Sequence, residues 1–183
     1  MRLARRGVVA LLVGLAACTP GRPGAPTSRM TDAEYLRALN IMVPVVGVTP
    51  GRVDDTFGAR RGARGHEALD IFARRGTPVV AAVAGEIRRV SSNALGGNTI
   101  YAVDEGRRFV FYYAHLDRYH RRAKVGARIA PGDVIGYVGT TGNAPRDLPH
   151  LHLQVMRMID GPRWWEGPPV NPHPYLARPG KAR

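Results

Sequence analysis

From Pro44 onward the chain is a series of short apolar or alternating runs, at 79–83, 86–90, 99–103, 109–114, 134–138 and 151–156. A period of two marks strands with one face buried and one face wet. Turn-forming residues fall between the runs at Ala84-Gly85, Gly96-Gly97-Asn98, Asp104-Glu105-Gly106 and Pro131-Gly132-Asp133. These close spacings suit antiparallel neighbours. The pattern therefore predicts a mainly β fold over residues 44–177, a single antiparallel β-sandwich or partly open barrel, with no long helix competing for the core.

Ahead of this domain the period changes. Thr31-Asp-Ala-Glu34 has the form of a capping box, and Tyr35, Leu36, Leu39 and Met42 recur at helical spacing, which predicts one short helix over 31–43, stopped before Pro44. The stretch Thr-Pro-Gly-Arg-Pro-Gly-Ala-Pro-Thr-Ser-Arg from Thr19 to Arg29 is too rich in proline and glycine for helix or strand, so 18–30 reads as a flexible linker. At the start, Arg2, Arg5 and Arg6 precede an apolar run from Val8 to Ala17 that is far short of the roughly 20 residues needed to span a bilayer. That is the build of a signal peptide over 1–17. Residues 178–183 are basic and unpatterned and read as a disordered tail. A faint echo between Val83-Ala-Gly-Glu-Ile87 and Ile129-Ala-Pro-Gly-Asp-Val-Ile135 is too weak to be a repeat.

Composition sharpens this picture at two points. Cys18 is the single cysteine among 183 residues, so no internal disulfide is available and the fold must stand on its core and on any metal it binds. Leu15-Ala16-Ala17-Cys18 resembles the lipobox of bacterial lipoproteins, in which the cysteine is acylated and becomes the first mature residue. The resemblance implies a membrane anchor on Cys18 and a cell-envelope address. In a cell with two membranes, Thr19 in place of aspartate implies the periplasmic side of the outer membrane. The formal charge of +13, less Arg2, Arg5 and Arg6, leaves +10. A surface so basic favours anionic partners. An exported chain meets little nucleic acid, so anionic wall polymer and acidic headgroups fit both charge and address, and no nucleic acid is expected as a partner.

The candidate chemistry lies in four of the six histidines, in the segments Gly65-His66-Glu-Ala-Leu-Asp70, Tyr112-Tyr-Ala-His115-Leu-Asp117 and Pro149-His150-Leu-His152-Leu153. In an extended strand, residues two apart share a face, so His150 and His152 project together while Leu151 and Leu153 face the core. His66 and Asp70, four apart, share a face on a strand or on a helix. Ile71-Phe72 and Gly76-Thr77-Pro78 favour the strand. Two imidazoles and a carboxylate are the donor chemistry of a catalytic zinc site with one position left for water. A metal there lowers the pKa of that water to about 7 and polarises a carbonyl. His66-Glu67 does not open a His-Glu-x-x-His motif, because position 70 is aspartate. Glu67 should point away from the metal.

Taken together, the three segments resemble the signature of the lysostaphin-like, LytM-type peptidoglycan endopeptidases. The similarity runs from about Pro44 to Leu176 and includes Phe57-Gly58, Arg75-Gly-Thr-Pro-Val79, Gly132-Asp-Val-Ile-Gly-Tyr-Val-Gly139 and Thr141-Gly-Asn143. It implies zinc held by His66, Asp70 and His152, with His115 and His150 as general base and donors to the oxyanion. It also implies peptidoglycan as substrate, cut at D-Ala to diaminopimelate bonds or at glycine bridges. One departure is visible: Ala68 stands where the family usually has glycine, which bears on substrate fit. Degenerate relatives that bind wall peptide or activate another hydrolase form the alternative reading, but these lack ligands, and here all five positions are filled. A biotinyl-type carrier would need a lysine at a hairpin tip, and Lys124 and Lys181 are the only lysines.

Four further residues are candidate substrate contacts. Arg60 and Arg64, with Arg61 between them, lead into the first motif and suit carboxylates. Trp165, beside Trp164, could floor a groove or pack on the sheet. Asn143, with Asp147, belongs to the loop before His150. His120 and His173 have no such company and are expected at the surface. The sequence names no regulatory partner.

Overall fold

Residues 30–61 and 64–177 are described in a computed structural model; the expected signal peptide, Cys18, linker residues up to Arg29 and the basic tail lie outside them. The helix comes first. In α1 (Asp32–Ala38) the Thr31 hydroxyl accepts from the Glu34 backbone N–H while the Glu34 carboxylate accepts from Thr31, a closed capping box that satisfies two otherwise orphaned donors. The helix ends five residues earlier than its spacing predicts. Asn40 takes a left-handed φ of 48°, and Ile41, fully buried, bridges Leu176 as an extended residue. Burying Ile41 against the far end of the chain outweighs another helical turn.

Eleven strands follow in chain order among the described residues: β1 (Arg60–Arg61), β2 (Arg64–Gly65), β3 (Leu69–Phe72), β4 (Pro78–Val80), β5 (Gly85–Asn93), β6 (Gly97–Asp104), β7 (Phe109–Tyr119), β8 (Arg128–Ile129), β9 (Val134–Val138), β10 (His150–Arg157) and β11 (Pro169–Val170). β1 and β2 form a small ribbon of their own. The rest make one antiparallel sheet along the path β11-β10-β7-β6-β5-β8, and the two ends of that path do not pair, so the sheet is open.

β7 organises the sheet. One edge takes β6; along the other, β10 pairs with Phe109 to Ala114 and β9 with Leu116 to Tyr119. β10 in turn pairs β3 through His150 to Leu153. Alternation places Phe109, Phe111 and Tyr113 of β7 and Leu151, Leu153 and Val155 of β10 in the core, all fully buried, where apolar area removed from water supplies the main stabilisation. The opposite face carries Tyr101 and Tyr112, covered by the segment holding Trp164 and Trp165. No helix among the described residues is long and apolar enough to cross a membrane.

Candidate metal centre

The outer face of β10 presents His150 and His152, as period-two alternation requires. Asp70 of β3 lies directly opposite His152 in the register. His66 is not on a strand with Asp70, contrary to the sequence reading: β2 ends at Gly65, and the chain turns through residues 66–68 before β3 begins. The two side chains meet because Thr56 ties both segments. Its backbone carbonyl accepts from His66 Nδ1 at 2.9 Å, while its hydroxyl accepts from the Asp70 N–H at 3.0 Å and donates to the Ala68 carbonyl at 3.2 Å. Sequence reasoning passed over Thr56, since a backbone carbonyl and one loop hydroxyl leave no spacing signal.

Three donor atoms converge here. His66 Nε2 lies 3.1 Å from Asp70 Oδ1 and 3.3 Å from His152 Nδ1, and His152 Nδ1 lies 3.0 Å from Asp70 Oδ1. Neighbouring donors around a tetrahedral zinc with bonds of about 2.0–2.1 Å are about 3.3 Å apart, so the cluster fits such an ion without rearrangement. Electrostatics agree. Burial alone would raise the Asp70 carboxyl, but the hydrogen bond from His152 and the charges of His152, His150 and His66 outweigh it and hold the group well below the usual carboxylate range. Burial pushes the His152 imidazole down, partly offset by Asp70. Ionised carboxylate and neutral imidazole are the forms that bind a cation.

Two more imidazoles close the site. His150 Nδ1 bonds the Leu148 carbonyl at 2.8 Å, so its Nε2 carries the lone pair. That Nε2 is buried 3.7 Å from Asp70 Oδ1 and is the one such side-chain atom among the described residues without a hydrogen-bond partner. An orphaned buried acceptor aimed into a donor cluster is what a site completed by water or substrate requires. His115 sits where β7 leaves β10 for β9, with a left-handed φ of 60°. Its N–H donates to the Gly96 carbonyl at 2.8 Å and its Nδ1 to the Thr141 carbonyl at 2.9 Å. The Asn98 side chain holds the next two carbonyls, those of Leu116 and Asp117. The His115 ring lies 5.0 Å from His150 and 5.5 Å from His152. Burial pushes its pKa down to about 4, against a smaller opposing effect of the Thr141 bond.

Arg60 is exposed in β1 and Arg64 opens β2. Asn143 is exposed, and its backbone N–H ties the loop to the Leu95 carbonyl at 3.0 Å. Trp165 is half-buried beneath the Arg89 guanidinium at 4.2 Å. Glu67 and Asp147 are exposed. His120 and His173, expected at the surface, are half-buried instead; the His173 ring bonds the Val53 carbonyl at 2.9 Å, which draws it into the fold. Ala68 is fully buried, and its backbone carbonyl accepts from the Thr56 hydroxyl.

An open antiparallel sheet bearing two imidazoles and a carboxylate at metal-donor spacing, with two further imidazoles in ring contact, defines the class: a β-sheet protein with a candidate metal centre. Residues 64–172 match the description "Peptidase family M23", and the chain belongs to that family, whose members are metallopeptidases. It is 33% identical over 129 residues to the L-Ala–D-Glu endopeptidase of Bacillus subtilis, covering 66% of this chain and 38% of that protein. It is 34% identical over 116 residues to lysostaphin of Staphylococcus simulans, covering 63% and 22%. The solved structure of LytU matches with a TM-score of 0.57 at 31% identity, covering 68% of this chain and 83% of that one. The chain thus spans well under half the length of these two curated relatives.

Proposed function

We propose that the protein is a zinc-dependent endopeptidase that hydrolyses the peptide cross-links of bacterial peptidoglycan. The observation that carries this reading is the convergence of His66, Asp70 and His152 donors at 3.0–3.3 Å, with His150 Nε2 3.7 Å from Asp70 Oδ1 and the His115 ring 5.5 Å from that of His152. The named relatives, an L-Ala–D-Glu endopeptidase and lysostaphin, supply the substrate class. Zinc bound by the three donors would act as a Lewis acid on a peptide carbonyl and make water acidic enough to give up a proton at neutral pH.

The chain's own groups then divide the work. His66 Nδ1 donates to Thr56, which fixes its tautomer and aims Nε2 at the metal position. His115, kept neutral by burial, takes a proton from water at Nε2 and returns it to the leaving amine. His150, its Nδ1 anchored on Leu148, accepts through its unpartnered Nε2 a hydrogen bond from the attacking water and so helps to orient it. Neither ring needs to reorient, because both Nδ1 atoms are held by backbone carbonyls.

Purified protein should carry about one zinc per chain and should release soluble fragments from peptidoglycan, with mass spectrometry naming the bond that is cut. His152→Ala should lose both metal and digestion. Digestion retained after that change, or a wild-type chain that binds no metal, rejects the reading.

A further inference from the structure

A row of side chains crosses the outer face of the sheet from the metal centre. The register sets Tyr112 against Gln154, Tyr101 against Tyr112, and Arg89 against Tyr101. Gln154 stands two residues along β10 from His152, on the same face. The rings of Tyr112 and His152 are 6.2 Å apart, those of Tyr101 and Tyr112 4.5 Å. At the far end the Arg89 guanidinium lies 5.5 Å from the centre of Tyr101 and 4.2 Å from that of Trp165.

A bulge in β5 creates this end of the row. Ile87 pairs with Ala102 and Arg89 with Tyr101, so Arg88 is the extra residue. Such an insertion lets two successive side chains share a face: Arg88 lies over Trp164 and Arg89 over Trp165. Strict alternation would have sent one of them toward the core.

Arg89 differs from the other arginines near it. Arg88 pairs with Glu86 and Arg163 with Glu166; Arg75 and Arg118 share Asp117, and Arg108 and Arg157 share Asp32. Among the described residues Arg89 has ring contacts but no ion pair, and its guanidinium donates to no acceptor. A half-buried guanidinium held over an aromatic ring is restricted in its side-chain freedom while its N–H groups remain available to bind a carboxylate in two-point fashion.

We propose that Arg89, held over Trp165 and beside Tyr101, is a carboxylate-binding subsite that makes the protein select stem peptides with free carboxylates over neutral glycine bridges. This rests on the reading of the histidine cluster as a peptide-cleaving site. Three interstrand steps of about 4.8 Å separate β10 from β5, a span of about 14 Å, which four residues of extended peptide cover at about 3.4 Å each. The bound carboxylate is therefore remote from the bond that is cut, and its binding acts on the choice of substrate.

The test uses the zinc-loaded full chain with synthetic cross-linked stem peptides bearing free carboxylates, the same peptides with those carboxylates amidated, and N-acetylated pentaglycine amide. Cleavage is followed by chromatography, and binding of uncross-linked stem peptide by tryptophan emission, since Trp165 lies under the arginine. Wild type should favour the free-carboxylate form at least tenfold in kcat/KM and in affinity. Arg89→Gln should reduce that ratio to near one by raising KM for the free-carboxylate form, and Arg89→Lys should restore part of the preference. Equal use of the two forms by wild type, or a preference that survives Arg89→Gln, overturns the subsite. If no peptide is cut while the Arg89-dependent difference in binding persists, the subsite stands and the endopeptidase reading falls.

Discussion

At the scale of single residues, the site depends on groups that touch no substrate. Thr56 binds three partners across one loop, and second partners of this kind orient metal ligands and tune their affinity. Thr56→Val keeps the carbonyl that orients His66 but removes the hydroxyl that spans Asp70 and Ala68. Zinc affinity should fall roughly 10- to 100-fold, measured by competition with a chromogenic chelator; unchanged affinity would show that the hydroxyl is dispensable. His115→Ala should behave in the opposite way, keeping the metal while turnover drops by about 10²–10⁴. An unchanged rate would remove its role as base. The shared face of the two β10 histidines was legible from period two, while the full ligand set came from the resemblance of three motifs. His150 and His152 share a face because they are two apart on a strand, and Leu151 and Leu153 lie inside for the same reason. The pairing of His66 with Asp70 was anticipated on the wrong grounds, since it depends on a loop and a threonine hydroxyl. The left-handed His115 had no marker either; its conformation is imposed by β7 changing partners.

At the scale of elements, α1 is too short to persist alone and is held by its docking. Tyr35 stacks on Phe109 at 6.0 Å and donates its hydroxyl to Asp104 Oδ2 at 2.5 Å, with the Arg108 guanidinium 4.4 Å over its ring. Asp104 in turn accepts the backbone N–H groups of Gly106, Arg108 and Phe109 and closes the β6–β7 turn. Burial, then the bond and charge of Asp104, push the Tyr35 phenol up to about 12. A folded pKa above the ordinary value of about 10 stabilises the fold fully below pH 10, and this contribution disappears as pH rises through 12. Thermal denaturation should therefore show an alkaline loss of stability over that window. In Tyr35→Phe this loss should be smaller, and stability at neutral pH should fall by about 1.5–3 kcal/mol, the scale of a hydrogen bond to a charged group. An identical alkaline limb in the variant would contradict the assignment. The same balance explains which elements were legible. Runs with an apolar inner face gave β6, β9 and β10 closely, whereas β5 and β7 run longer than expected because their ends carry Ser91, Ser92, Asn93 and Asp117 to Tyr119. Two-residue strands such as β8 and β11 have no period to detect; their partners, not their own residues, define them.

For the whole molecule, the basic charge and the open sheet serve different steps. The charge of +13, or +10 without Arg2, Arg5 and Arg6, favours anionic partners over distances set by the screening length, about 8 Å at physiological salt, whereas the outer face of the sheet acts only on contact. Proximity to the wall can come from a second source. Arg2, Arg5 and Arg6, the apolar run to Ala17 and Cys18 support the proposal that the mature protein is tethered by lipid on Cys18 through the proline- and glycine-rich stretch that follows. One acyl chain binds a membrane only marginally, while two or three hold it stably. Cys18→Ser, expressed in a bacterial host, should therefore move the protein from the membrane pellet to the soluble fraction. Zinc content and peptide hydrolysis per mole should stay the same, because the proposed ligands His66, Asp70 and His152 all lie in the catalytic domain that follows the tether. Fractionation with immunodetection, alongside mass measurement of the mature N-terminus, reads both halves of the prediction. An unmodified cysteine, or a variant that still pellets, would leave charge alone to account for envelope association, and that association should then dissolve in high salt, as a lipid anchor would not.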